Sequence, residues 1–156
     1  MKILMVCLGN ICRSPLAEGI LDYKARQQGL PWKVDSAGTG SWHIGQGPDP
    51  RSVATAKAHG IDITGQRARQ LNRVDLEKFD LVLAMDGQNY SDILSLSEDE
   101  DDRNKVHMIM EFAYPGKRES VPDPYWDDNG FERVFEMLDS ACDAIVNKLS
   151  KGDHGG

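Results

Sequence analysis

Apolar and polar positions along the chain switch between two periods. Lys2–Val6 is a compact apolar run, the pattern of a strand buried on both faces. Ser14-Pro15 then opens a helix, with Ser as the cap and Pro at the first helical position, and Leu16, Ala17, Ile20 and Leu21 share one face. Gly29 is its predicted stop. Trp32–Ser36 reads as a second strand, and Gly38 to Asp49, rich in Gly, Ser and Pro, as a long surface loop. Asp49-Pro50 repeats the cap-then-proline start, and Val53 to His59 runs helically to Gly60. Phe79–Met85 is the third strand, Asp86 the cap of a helix reaching about Leu96, and Ser97–Arg103 an acidic, solvated loop. Val106–Met110 is the fourth strand. Phe131, Val134, Phe135, Leu138, Cys142, Ile145, Val146 and Leu149 mark a long amphipathic helix, which Asp127 and Asp128 are placed to cap.

Strand–helix alternation implies a single α/β domain over residues 1–150. Its core is a four-stranded parallel, doubly wound sheet with helices on both faces, followed by a disordered tail at 151–156. In such sheets ligands bind at the carboxyl ends of the strands, which directs attention to the loop after the first one.

Charge narrows the partners. Eighteen Lys+Arg against 25 Asp+Glu leave a net charge of -7, the wrong sign for a general nucleic-acid binder or a protein held on anionic lipid. No apolar run has the length of a membrane span, and Asn10, Arg13 and Ser14 interrupt the first one too early for a signal peptide, so a cytoplasmic location is expected. Three cysteines, Cys7, Cys12 and Cys142, form neither a disulfide framework nor zinc spacing, and the four histidines show no metal spacing, so neither metal nor cofactor is expected.

The candidate chemistry lies in Cys7-Leu8-Gly9-Asn10-Ile11-Cys12-Arg13-Ser14, between a strand and a helix N-terminus, where backbone N–H groups and the helix dipole favour an anion. Curling amides around one phosphate requires positive φ, which Gly9 and Asn10 tolerate best. Arg13 offers a planar fork to two phosphate oxygens. The same positive focus favours the thiolate of Cys7, to which Ser14 can donate its hydroxyl.

The run C-L-G-N-I-C-R-S-P at the N-terminus, with D-P-Y at 123–125, resembles the low-molecular-weight protein tyrosine phosphatases. The resemblance extends through D-S-A-G at 35–38, Trp42, P-D-P-R at 48–51, R-A-R-Q at 67–70 and M-D at 85–86. It implies Cys7 as nucleophile, Arg13 as phosphate ligand, Ser14 as thiolate support, Asp123 as general acid, and Asn10 as a loop-shaping residue in contact with Ser36. One departure is Gln66, which stands where family members often carry a His that supports the Asn. Phosphotyrosine-containing proteins are the implied partners, and a monomer is expected.

Chemistry separately asks for an acid, because a departing phenolate oxygen is best protonated as its bond to phosphorus breaks. Pro122-Asp123-Pro124 sets a carboxyl in a stiff loop beside Tyr125 and Trp126. Trp42 and Tyr125 are the aromatics that would wall a slot deep enough for a phosphotyrosine ring, with Leu8 and His43 on its rim. Three rivals share parts of this pattern. A thiol-dependent arsenate reductase needs relay cysteines, whereas Cys142 takes a core-facing helical position. An arginine phosphatase is associated with Thr where Ile11 stands. A phosphocarrier would need no acid to activate water. A redox pairing of Cys7 with Cys12, five positions apart, completes the reading, since a loop wrapped around one anion brings its ends together.

Overall fold

Strand β1 (Lys2–Cys7) lies at the centre of a sheet whose order is β2-β1-β3-β4, all parallel, with β2 at Lys33–Gly38, β3 at Leu81–Ala84 and β4 at Val106–Met108. The computed structural model describes residues 1–155. Strand parity explains the apolar run. Ile3, Met5 and Cys7 join Leu81, Leu83 and Met85 on one face, while Leu4 and Val6 join Val82 and Ala84 on the other. The first face is covered by α1 (Arg13–Gln27), with Leu16, Ala17, Ile20 and Leu21 buried, and by the long α7 (Phe131–Gly155) through Val134, Phe135, Leu138, Cys142 and Ile145. Leu71, Leu76 and Ile93 cover the second. Both faces are therefore dry, as parallel strands require.

Of the remaining helices, α2 (Pro50–Ala58) begins as the Asp-Pro pair predicts, with the Asp49 side chain accepting from Arg51 N at 2.8 Å. It stops before Gly60, whose φ is 81°. The Gly29 stop also holds, with φ 67° after α1. Asp86 caps α4 (Gly87–Leu94), its Oδ1 accepting from Asn89 N at 2.8 Å.

Several expectations are corrected. Ser14 does not cap α1: the cap position is Cys12, which makes no side-chain cap, and the Ser14 hydroxyl turns to the sulfur of Cys7 instead. The acidic run is not all solvated loop, because Asp99 caps a one-turn helix α5 (Glu100–Arg103) and Asp102 is buried, its carboxylate accepting from the Ser97 hydroxyl at 3.2 Å. The fourth strand ends at Met108, and Ile109–Ala113 forms helix α6, whose Ile109 and Met110 still reach the core. A short α3 (Arg73–Lys78) was not foreseen; it is tied at its start by Asn72 N donating to the Asp75 carboxylate at 2.9 Å. Asp127 shapes the turn before α7 by accepting from Asn129 N, and Asp128 pairs with Arg51, so neither caps the helix. Helix α7 continues through Lys151–Gly155, the stretch expected as a tail, since adding turns to a formed helix costs little. Gly156 lies outside the described residues.

Among the described residues no helix is long and apolar enough to cross a membrane, and no group of three His, Cys, Asp or Glu side chains is placed to hold a metal ion.

Candidate active site

The loop from Cys7 to Ser14 leaves the end of the central strand and enters α1 without a side-chain cap, which leaves the first amides of that helix unclaimed. Asn10 takes φ 57°, the left-handed conformation that turns the loop; Gly9 does not take positive φ, contrary to expectation. Gly9 serves close packing instead, because a Cβ there would come within 3.1 Å of the His43 ring. Gly38 has a similar task, since its Cβ would meet Leu8 O at 2.8 Å.

The sulfur of Cys7 is the focus of the loop. Asn10 N donates to it at 3.3 Å, and the Ser14 hydroxyl lies at 3.0 Å. The Asn10 side chain holds three segments together. Its Nδ2 donates to Ser14 Oγ at 2.8 Å and to Ser36 Oγ at 3.0 Å, while its Oδ1 accepts from Arg69 N at 3.0 Å. The Asn10–Ser36 contact expected from the resemblance is present. Gln66 does not touch Asn10: its amide nitrogen donates to Pro15 O at 3.1 Å, and the support falls to the backbone of Arg69.

Arg13 is 3% exposed and Cys7 equally so, so both functional side chains are buried except where they border the cleft described below. Arg13 Nη1 donates to Asp86 Oδ2 at 2.7 Å and to Val121 O at 3.0 Å, leaving Nη2 on the side of Asp123, 3.9 Å from its Oδ2. Asp123 Oδ1 accepts from Tyr125 N at 3.1 Å, which anchors the carboxyl in the turn Pro124–Trp126.

A cleft of about 280 Å³ opens over these groups. Cys7, Cys12, Arg13 and Asp123 border it; Leu8, Gly9 and Ile11 supply loop wall, and Trp42, His43, Tyr125 and Trp126 the aromatic sides. Trp42 is 69% exposed and Trp126 88%, so both stand at the mouth. The structure thus gathers Cys7, Leu8, Gly9, Ile11, Cys12, Arg13, Trp42, Asp123 and Tyr125 around one cleft, with Asn10, Ser14 and Ser36 behind it.

Sequence reasoning missed Arg51 as an organiser. Its guanidinium bonds Asp49 at 2.8 Å and Asp128 at 2.5 Å, and sits 4.6 Å from the Phe131 ring centroid and 5.5 Å from that of Tyr125. It thereby ties the start of α2 to the segment carrying Asp123. The P-D-P-R run carried that signal without its meaning. Asp86 was read as a cap alone, and its ion pair with Arg13 is visible only in three dimensions.

The family model described as low molecular weight phosphotyrosine protein phosphatase matches residues 2–154. The chain belongs to this family. A Synechocystis sp. protein named for the family is 45% identical over 154 residues, covering 97% of this chain and 98% of the relative. The low molecular weight phosphotyrosine protein phosphatase of Sus scrofa is 35% identical over 152 residues, covering 95% of each. Among solved structures, a protein tyrosine phosphatase from Entamoeba histolytica, crystallised with Hepes in the active site, superposes with a TM-score of 0.90 at 37% identity, covering 98% of this chain and 99% of that one. The protein is accordingly a phosphatase, a hydrolase of phosphoric monoesters, and its four-stranded parallel sheet is the fold of that family.

Burial sorts the three thiols of the phosphatase. Burial raises Cys142 far above the ordinary thiol range, and it has no route to the cleft. Cys12 is pushed up to about 12, first by burial and then by the nearby charges of Asp49 and Asp123. Of the two cleft cysteines, Cys7 alone has the amide and hydroxyl donors just described.

Proposed function

We propose that this phosphatase hydrolyses phosphotyrosine in proteins through a phosphocysteine intermediate. The observation that carries the reading is the convergence of Asn10 N and the Ser14 hydroxyl on Cys7 Sγ, with Arg13 and Asp123 facing the same cleft. Loop amides and the Arg13 fork hold the phosphoryl oxygens while the Cys7 thiolate attacks phosphorus in line, forming the S–P bond as the P–O bond to tyrosine breaks. Asp123 gives its proton to the departing phenolate oxygen. In the second step the Asp123 carboxylate takes a proton from water as that water attacks phosphorus, releasing phosphate and the thiolate.

Phosphotyrosine fits because its flat ring suits a cleft that Cys7 borders and Trp42 and Tyr125 side, whereas a phosphoserine side chain brings no ring to those walls. Ile11, on the cleft wall, favours a flat apolar ring over the polar guanidinium of phosphoarginine. Arsenate reduction through a thiol relay is disfavoured, since Cys142 is fully buried in the core and does not border the cleft. Carrier function is disfavoured by an acid placed to activate water. The enzyme is taken to act as a monomer on cytoplasmic phosphoproteins.

The test is turnover of a phosphotyrosine peptide, a phosphoserine peptide, phosphoarginine and arsenate by one preparation with a chelator present. Phosphotyrosine should exceed the others in kcat/KM by at least about 10²-fold, and Cys7→Ser should abolish turnover with an unchanged circular dichroism spectrum. Near-normal activity in Cys7→Ser would overturn the mechanism.

A further inference from the structure

Helix α1 brings a carboxylate to the back of the loop. Ser14 and Glu18 lie four residues apart and so share a face of that helix. That face meets β2, where the Ser36 hydroxyl donates to Glu18 Oε1 at 2.6 Å. We propose that Glu18 is a positioning residue for the phosphatase site, orienting the Ser36 hydroxyl and, through Ser36 and Asn10, the Ser14 hydroxyl beside the Cys7 sulfur. The inference rests on Cys7 being the reactive thiol, as proposed above.

Proton accounting makes the chain directional. Ser36 has one hydroxyl proton, and giving it to Glu18 leaves its oxygen free to accept from Asn10 Nδ2 at 3.0 Å. Asn10 Nδ2 has a second proton, which goes to Ser14 Oγ at 2.8 Å, and its Oδ1 is held by Arg69 N. Ser14 Oγ accepts from Asn10, and because a Cys7 thiolate can only accept, the Ser14 proton goes to the sulfur 3.0 Å away. Each hydroxyl thus has one remaining direction as long as the far end of the chain is an acceptor. An ionised carboxylate is the acceptor that keeps it so, and it bonds about twice as strongly as a neutral group. A neutral acid can turn its own O–H toward Ser36, which frees the Ser36 proton and loosens the hold on Asn10.

Glu18 can change state near neutrality. Burial pushes its carboxyl up to about 7, with the Ser36 bond opposing, Asp35 and Asp22 adding to the rise, and Arg69 opposing it. It borders a cavity of about 520 Å³ distinct from the catalytic cleft. The other charged groups around that cavity are Arg26 on α1 and Asp62 and Arg67 on the segment after α2, together with the phenol of Tyr23. Gln66 also borders it and supplies no charge, its amide nitrogen being engaged by Pro15 O. The cavity gives Glu18 its own route to solvent protons. The organised loop and the ionised Glu18 are linked, so reactivity at Cys7 rises as pH passes through 7.

The test reads Cys7 directly, as the rate of its alkylation by iodoacetamide from pH 5 to pH 9, alongside kcat/KM for a phosphotyrosine peptide. Wild type should show an inflection near pH 7 in the alkylation profile. Glu18→Gln, a neutral acceptor of the same shape, should keep the rate within about threefold at pH 6 but lose that inflection. Glu18→Ala should slow both alkylation and kcat/KM about 10-fold at pH 8, the size of one charge-assisted hydrogen bond. If Glu18→Gln follows the wild-type profile, the inference is overturned whether or not the alanine variant folds. Alkylation requires no turnover, so an inactive wild type would overturn the proposed function while leaving this measurement able to decide the role of Glu18.

Discussion

Asp86 Oδ2 lies 2.7 Å from Arg13 Nη1, so one carboxylate both caps α4 and aims the guanidinium at the cleft. The arrangement divides the labour of Arg13. Its Nη1 is spent on Asp86 and on Val121 O, and its Nη2 faces the side where Asp123 stands. A guanidinium fixed in this way binds an anion without first losing rotamer freedom.

Asp86→Asn tests that division. An Asn side chain can still cap the helix and accept one hydrogen bond, but it removes the charge that holds the guanidinium. The expected result is a fall of about 10-fold in kcat/KM with little change in thermal midpoint, whereas Asp86→Ala should also cost about 1 kcal/mol through the lost cap. Kinetics and thermal unfolding on both variants check this. Wild-type kcat/KM in Asp86→Asn would show that Arg13 needs no such partner.

Asp123 is tested through the leaving group. Its carboxyl is held by Tyr125 N between two prolines and faces the cleft. A poorly departing phenolate needs a proton in the transition state, whereas p-nitrophenolate barely does. Asp123→Asn should therefore slow phenyl phosphate by about 10²–10⁴-fold, the usual worth of a general acid, and p-nitrophenyl phosphate far less. A series of substituted phenyl phosphates measures the slope. An unchanged slope would move the role to another group, with Asp127 the next variant to make.

What could be read from the sequence follows from how local each signal is. Strand β1 was legible because both its faces are buried and five successive apolar residues say so. The Cys7–Ser14 loop was legible because each residue type in it has a distinct task, and Asn10 did adopt the left-handed turn. Helix α3 was not, since in six residues only Leu76 and the cap-bound Asp75 are buried while Val74 faces solvent, so no period emerges. Glu18 read as an ordinary polar position between Ala17 and Gly19; its partner Ser36 lies 18 residues away and meets it only once β2 pairs beside β1. The ion pair of Asp86 with Arg13 spans 73 residues, and nothing near either residue announces it. Motif runs such as P-D-P-R and R-A-R-Q marked the right places, but the geometry was needed to assign Arg51 and the Arg69 backbone their partners.

The pairing of Cys7 with Cys12 under oxidation is the remaining expectation, and the structure changes its terms. Both residues border the cleft, but Cys12 also packs with Ile11, Ala68 and Phe131, and its thiol is pushed up to about 12 by burial ahead of the charges of Asp49, Asp123 and Cys7. Peroxide would convert the Cys7 thiolate to a sulfenic acid, and attack by the Cys12 thiolate on that sulfur would form the disulfide and release hydroxide, which takes up the thiol's proton as water. With a thiol titrating near 12, only ~10⁻⁵ of Cys12 is thiolate at pH 7, and that fraction rises tenfold for each pH unit. Capture should therefore be slow at pH 7 and about 100-fold faster at pH 9. A brief peroxide pulse, quenched with catalase, isolates this step from further oxidation. The Cys7–Cys12 peptide is then followed by mass spectrometry, and activity by recovery with dithiothreitol. Wild type should accumulate the linked peptide faster at the higher pH, and Cys12→Ser should form none and lose more activity to irreversible sulfinic acid when the pulse is prolonged. Bound phosphate should protect both proteins by covering Cys7. Equal recovery in the two proteins, with no linked peptide at either pH, would reduce Cys12 to a small apolar residue beneath the loop.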